Sequence, residues 1–408
     1  MRRTIYFLLL LLYFPITLFA QLNYSSTLEI FADEAPEIVS RAAVLIDAHT
    51  GTILYAKNPD EEISPASLTK LMTMHLVMKA INEGRASYDE IVPITEESWA
   101  QNQPLRSSLM FLEPGQTVTL REILLGLAVS SGNDAAAAAA LRFSPTIRQF
   151  AAVMTAEAQG MGLYATRFAE PSGISAVNMT TAAEFASFCR HYINMHPHTL
   201  LEFHSVLEYA YPMSHNAVES KRYNPKTIVQ ENRNILLRTL PGTDGLKTGF
   251  INESGNNIAL TVERDQTRFI LVLLGAPRGR EGPRIRAQDC TILIEWAFAN
   301  FKTVRPKIEK IENVRLWKGK QNSAELIMEG NADFTANINR ANKLIYEIVI
   351  PNPLKAPLSQ GYLAGYINIK DEYGELSRTP LVTAASYEKG NIFKRLWHSV
   401  MLLLRRNK

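Results

Sequence analysis

Ser64-Pro65-Ala66-Ser67-Leu68-Thr69-Lys70 (SPASLTK) stands between two short strand-like runs and a long helical region, and its reading decides the fold. Proline suits the first turn of a helix and Ser64 suits the capping position before it, so the order predicts a helix that starts here. Ser67 then lies in the first turn, and Lys70, three residues on, shares its face. A serine hydroxyl is a poor nucleophile unless a base takes its proton. A lysine amine serves as that base when burial and a nearby positive charge lower its pKa. The helix N-terminus also aims backbone N–H groups at a developing oxyanion. By itself the Ser-x-x-Lys spacing is weak, since it arises about once by chance in a chain this long.

Upstream, Ala42–Ile46 and Ile53–Lys57 flank a turn at Asp47–Gly51 and read as a β-hairpin. Downstream there is little strand character from Ser67 to about Ile193, a stretch that includes the helix-forming alanine run Ala135–Ala140. Strands return at Asn257–Glu263 and Phe269–Leu274, and a helix follows near Ile285–Phe301. Strands from both ends of one region with helices between them predict an α/β (α+β) domain, with an antiparallel sheet and a helical insert. From about Val304 short alternating strands separated by Asn, Gly and Pro turns predict a second, small all-β domain.

Two further motifs flank the alanine helix and the returning strands. In Ser131-Gly132-Asn133 the serine suits a proton relay, and the asparagine suits hydrogen bonds to an amide and a lysine. In Lys247-Thr248-Gly249, just before the Asn257 strand, Lys247 and Thr248 suit a carboxylate. Gly249 lets a substrate backbone lie close. Lys247 is also the second positive charge expected to keep Lys70 neutral. Singly, each motif reads as a capped helix start, a turn or a loop. In this order, each beside the element its chemistry wants, chance coincidence is well under one in a hundred, an order-of-magnitude figure from average residue usage.

The chain has 408 residues, 46% hydrophobic and 20% charged, which excludes disorder over most of its length. A net charge of +3 does not announce a nucleic-acid binder. Cys189 and Cys290 are too few for a disulfide scaffold or a four-thiolate metal site; both sit in helical segments and read as small buried residues, with a single bridge between them the open alternative. His196, His198 and His204 cluster without a suitable glutamate motif, so no metal is expected.

The two ends differ from the body. Met1-Arg2-Arg3 followed by the apolar run Ile5–Ala20 reads as a signal peptide, residues 1–20, and predicts an exported protein. At the other end, residues 389–408 read as an amphipathic helix. Wound at about 100° per residue, it gathers Ile392, Phe393, Leu396, Trp397, Val400, Met401, Leu403 and Leu404 on one half. Lys394, Arg395, His398, Ser399, Arg405 and Arg406 fall on the other, and Leu402 alone strays among the polar residues. Such a helix lies in a membrane interface with its basic side toward anionic head groups. Arg2, Arg3 and the five cations of the last eighteen residues carry +7, so the body carries −4.

Together the motifs resemble the set of penicillin-binding proteins and class A β-lactamases. SPASLTKLMT, SSGNDA, ENRN, TDGLKTG and RGRE resemble a D-alanyl-D-alanine carboxypeptidase, a low-molecular-mass penicillin-binding protein of the penicillin-binding-protein-5 type. The resemblance implies a transpeptidase/β-lactamase-like D,D-peptidase domain at 21–303, a β domain at 304–388 and a membrane-anchoring helix at 389–408. It implies Ser67 as acylated nucleophile, Lys70 as general base and Ser131 as relay. Asn133 would touch the substrate amide, Lys247, Thr248 and Gly249 the terminal carboxylate end, with Arg280 of RGRE assisting. The backbone N–H groups of Ser67 and Phe250 would form the oxyanion hole. The family often has histidine where Phe250 stands, which bears on rate and substrate preference and leaves the backbone donor in place.

The implied partners are peptidoglycan stem peptides, β-lactams and the membrane surface, in the periplasm or on the outer face of the cytoplasmic membrane. The reaction that the resemblance implies needs no organic cofactor. A D,D-endopeptidase acting on crosslinks needs the same site. A β-lactamase needs a deacylating glutamate. Glu170-Pro171 resembles that element superficially, but Gly173 and Ile174 stand where Leu-Asn is expected. A wall-binding protein without activity is disfavoured by the full motif set. No residue pattern assigns an oligomeric state.

Overall fold

The computed structural model describes residues 23–24, 34–218, 226–306, 308, 310–330, 332–341 and 343–406. The expected signal peptide lies outside them. The first sheet takes β1 (Asn23–Tyr24), β2 (Ala42–Asp47) and β3 (Thr52–Lys57) from one end of the domain. Helices α1 (Lys70–Asn82), α2 (Leu120–Leu125), α3 (Asn133–Phe143), α4 (Ile147–Gly160) and α5 (Ala182–Met195) follow. A two-stranded ribbon, β4 (Glu208–Tyr211) with β5 (Ile228–Glu231), and the short α6 (Leu236–Thr239) lead to β6 (Thr243–Ile251), β7 (Gly255–Arg264) and β8 (Thr267–Ala276). The sheet order is β1-β3-β2-β8-β7-β6, antiparallel except for β1 against β3.

Two-sided burial explains why the inner strands are apolar without alternation. Ala42, Val44 and Ile46 of β2 and Ile270, Val272 and Leu274 of β8 face the helical core. Ala43 and Leu45, with Phe269, Leu271 and Leu273, face the opposite layer, made by α7 (Gly282–Asn300). Successive strand residues point to opposite faces, so a sheet covered on both sides needs apolar residues at every position. Helix α1 is buried from Lys70 to Met78, as expected of a helix apolar nearly all round. The Ser67–Lys70 segment is therefore the N-terminal approach to the core helix. Cys189 on α5 and Cys290 on α7 are both buried free thiols.

The second domain holds β9 (Phe301–Val304), β10 (Ile311–Trp317), β11 (Ser323–Met328), β12 (Phe334–Asn337), β13 (Ile345–Val349), β14 (Leu354–Lys355), β15 (Leu363–Asp371) and β16 (Gly374–Thr383). Six form a sheet in the order β13-β15-β16-β11-β10-β14, and β9 pairs with β12 as a ribbon at the junction. That ribbon is tied to the first sheet. Thr303 and Thr335 hydroxyls donate to Asp47 Oδ2 at 2.8 and 2.9 Å, and Asp47 is fully buried.

Helix α8 (Ile392–Arg406) docks on this domain with its polar side. His398 is buried, and its Nδ1 accepts the Lys318 backbone N–H at 2.7 Å. Its ring meets Trp317 edge-on, 5.3 Å between centroids. Lys394 Nζ donates to the Lys320 carbonyl at 2.8 Å. The apolar side faces outward, with Phe393 79%, Trp397 64% and Val400 50% exposed. Among the described residues no helix is long and apolar enough to cross a membrane.

Candidate active site

The expected helix start differs in one detail. Residues 66–69 form a tight 3-10 turn ahead of α1. Ser64 does not cap it; its hydroxyl is buried without a partner among the described residues. Ala66 adopts φ +50°, which turns the chain, and the Ser64 carbonyl accepts from Asn257 Nδ2 at 2.9 Å instead. Two glycines press on this turn. A Cβ on Gly173, at φ +83°, would lie 1.8 Å from the Ala66 carbonyl oxygen, and one on Gly249 would lie 2.9 Å from the Ser67 nitrogen. Gly249 is thus required by the packing of β6 on the serine turn, whatever it does for a substrate backbone.

Lys70 is fully buried, and its Nζ lies 3.1 Å from Ser67 Oγ, 2.8 Å from Asn133 Oδ1 and 2.6 Å from the Ser172 carbonyl. Burial of the charged form lowers its pKa to about 7; the Arg233 guanidinium adds to this, while the Glu170 and Asp134 carboxylates oppose it. Arg233 is thus a further positive neighbour of Lys70, beside Lys247, which Lys70 also repels. Asn133 Nδ2 donates to Ser107 Oγ at 3.0 Å, which fixes its amide with oxygen toward Lys70. Asn133 Oδ1 and the Ser172 carbonyl can only accept. A neutral amine gives them its two N–H groups and keeps its lone pair for the Ser67 hydroxyl.

Ser131 sits in the left-handed region at φ 57°, ψ 33°, buried between the turn that ends α2 and the start of α3. Beside it the fully buried Asp134 carboxylate accepts the backbone N–H of Met110 (2.8 Å), Phe111 (2.8 Å), Leu112 (3.0 Å) and Ala135 (2.9 Å). This staples segment 107–112 to the α3 start and keeps Ser107 against Asn133.

The Lys-Thr-Gly motif lies inside the edge strand β6, not before a strand, with Lys247 opposite Ala259 and Thr248 opposite Ile258. Lys247 Nζ donates to the Thr248 carbonyl at 3.0 Å. Its pKa is driven well below the ordinary lysine value by burial first, then by Lys70, Arg233 and Arg286. A cleft of about 410 Å³ is lined by Ser67, Arg106, Ser131, Arg233, Thr248 and Arg286, with Gly249 and Phe250 at the same wall. Arg280 is exposed and does not line it. Arg233, Arg286 and Arg106 supply the positive charge that the sequence reading assigned to Arg280. The ENRN stretch around Arg233 was the signal that pointed there. Arg286 carries no motif.

Glu170 folds back on its own loop. Its carboxylate accepts from Ser172 N and Gly173 N, both at 2.7 Å, from Ser172 Oγ at 2.5 Å and from Asn178 Nδ2 at 3.1 Å. It holds the Ser172 carbonyl on Lys70 and has little capacity left to orient a water. His196 and His204 are likewise engaged, with Asn82 and His75, and with Tyr192 and the Leu246 carbonyl. Among the described residues no group of three or more such side chains is arranged to hold a metal ion.

Comparison with known proteins gives a consistent picture. A family model described as D-alanyl-D-alanine carboxypeptidase matches residues 29–278, and one described as penicillin-binding protein 5, C-terminal domain, matches residues 301–389. The D-alanyl-D-alanine carboxypeptidase DacD of Escherichia coli strain K12 is 33% identical over 377 residues, covering 90% of this chain and 91% of that protein. Penicillin-binding protein 5 from Haemophilus influenzae superposes with a TM-score of 0.77 at 28% identity, over 88% of this chain and 100% of that one. The ampicillin-bound penicillin-binding protein D2 of Listeria monocytogenes does so with a TM-score of 0.53 at 26% identity, over 64% and 100%.

Proposed function

The chain belongs to the D-alanyl-D-alanine carboxypeptidase family of serine hydrolases, with the fold of penicillin-binding protein 5, and from that premise we propose the residue roles, the bond cleaved and the place of action. Ser67 Oγ attacks the carbonyl between the two terminal D-alanines of a peptidoglycan stem pentapeptide, and Lys70 Nζ takes the hydroxyl proton. Negative charge on the carbonyl oxygen is met by the backbone N–H groups of Ser67 and Phe250. Ser131 passes a proton to the departing D-alanine amine, and water then hydrolyses the acyl-enzyme. A penicillin acylates the same serine and leaves slowly.

The observation that carries this reading is the buried Lys70 amine, 3.1 Å from Ser67 Oγ with its other directions taken by acceptors. The substrate carboxylate is met by Thr248 and the cluster of Lys247, Arg233 and Arg286. Among the described residues no carboxylate stands beside these side chains, and a bound one would oppose the burial and mutual repulsion that lower the Lys247 pKa. The substrate lies along the open edge of β6 as an added strand.

Labelling with fluorescent penicillin tests the roles. Ser67→Ala is expected to abolish labelling, and Lys70→Ala to slow it by roughly three orders of magnitude while leaving the fold intact. A labelled Ser67→Ala protein refutes the nucleophile. Release of D-alanine from pentapeptide, against cleavage of crosslinked dimer, separates carboxypeptidase from endopeptidase action.

The protein works at the outer face of the cytoplasmic membrane, exported by the apolar leader at residues 1–20 and held by α8. Supporting this is the orientation of α8, which spends its polar side on the β domain and leaves an apolar side of eight large residues outward.

A further inference from the structure

We propose that the cleft between α8 and the β10–β14 edge of the second domain binds the headgroup of an anionic phospholipid. The inference rests on the membrane-surface reading of α8. The cleft has a volume of about 1020 Å³. Its walls are the ends of β10 and β14, residues 350–353 between β13 and β14, and one flank of α8. The charged side chains that line it, Arg315, Lys318 and Lys355, are all basic. Among the described residues none of the three pairs with a carboxylate, whereas the neighbouring Lys310 and Lys320 do.

The cations share one wall with an aromatic ring. β10 and β14 run parallel with Lys355 in register with Trp317, and Arg315 lies on the same face of β10, its guanidinium 4.9 Å from the Trp317 ring centroid. The opposite wall is Ser399, Leu402 and Leu403. Leu402, the apolar residue that falls among the polar ones on the helix, here finds its place. These three residues lie at the border between the docked side of α8 and its outward apolar side. A helix sunk to its apolar side in a bilayer therefore brings the mouth of the cleft to the level of the lipid phosphates. Three cations face the phosphate, and Trp317, Leu402, Leu403 and Ile350 face the glycerol and first methylenes. One of these cations also bears on the joint itself: burial first, then Arg315 and Lys394, keep His398 below the ordinary histidine pKa, which suits a neutral ring accepting the Lys318 N–H.

Co-sedimentation of the full chain with phosphatidylcholine vesicles, with and without phosphatidylglycerol, tests the site. The triple variant R315Q/K318Q/K355Q is compared with K226Q/K343Q/K370Q, which removes the same charge away from the cleft. The preference for phosphatidylglycerol is expected to fall by roughly fivefold per cation in the first variant and to change little in the second. Equal losses in the two variants overturn the proposal, since diffuse attraction would then suffice. Dihexanoyl-phosphatidylglycerol below its micellar concentration, followed by tryptophan fluorescence, reads the cleft without a bilayer. If the chain ignores vesicles but the first variant alone loses this short lipid, the membrane reading fails and the site stands. Absence of short-lipid binding to the native chain, or its displacement by equal inorganic phosphate, overturns the site.

Discussion

Lys70 Nζ has three neighbours and, at its lowered pKa, two protons to give them. With that pKa at about 7, the amine is neutral above pH 7 and an ammonium below it. The second-order rate of penicillin acylation is therefore expected to rise with pH and reach half its plateau near pH 7. A flat profile between pH 5 and 9 would reject Lys70 as base. The Glu170 carboxylate raises the Lys70 pKa, so Glu170→Gln is expected to move this acid limb to lower pH. The same change weakens a loop that relies on a charged acceptor, at a cost of about 2 kcal/mol in denaturant unfolding. At this scale the sequence was legible where side-chain identity carries the chemistry, as in Ser67, Lys70 and Asn133. Ser172 was not, because it contributes a backbone carbonyl that any residue has. Arg233 and Arg286 were not singled out, and Arg280 does not line the cleft, for a related reason: arginine is visible anywhere in a chain, but only the fold decides which ones face one cleft.

The elements around the serine are held by close approach and by one buried anion. Gly249→Ala places a methyl group 2.9 Å from the Ser67 nitrogen and 3.0 Å from the Pro65 carbonyl oxygen. It is expected to slow acylation at least about tenfold, by displacing the nucleophile and the donors that meet the oxyanion. Asp134→Ala leaves three backbone N–H groups of segment 110–112 without their acceptor and is expected to cost about 3 kcal/mol or more. Thermal or denaturant unfolding measures this, and a rise in KM with little change in kcat would place the effect on the loop. The hairpin, the central helices and the strands β7 and β8 were legible because their apolar runs are long and their turns polar. Strand β6 was not. TDGLKTGFI carries an aspartate, two glycines and a lysine, all poor strand formers, and its place in the sheet comes from pairing with β7. The short β9, β12 and β14 escaped notice because two to four residues cannot establish a period.

For the whole molecule, charge and exposed apolar surface divide the work. The described body is a two-domain unit, and α8 turns outward the surface that most helices bury. Val400→Asp puts a charge at the middle of that outward face and is expected to lower the membrane-bound fraction at least about tenfold. Penicillin labelling in solution should not change. Cell fractionation or vesicle sedimentation reads the first effect, and retention on membranes would discard α8 as the anchor. The amphipathic pattern of α8 was fully legible, but which side would dock was not. The decisive contacts, His398 with the Lys318 backbone and Lys394 with the Lys320 carbonyl, join segments some 75 to 80 residues apart. Asp47 adds a last consequence. One carboxylate, grown from a central strand of the catalytic sheet, straps the ribbon that begins the second domain. On the proposed membrane docking, the standoff between the serine and the lipid surface becomes a built-in dimension of the molecule, and stems would be trimmed in a layer of wall at that height. Asp47→Ala removes one of several ties, since Thr50 meets Thr335 and Thr267 accepts from the Thr303 backbone, and it would loosen that gauge without freeing it.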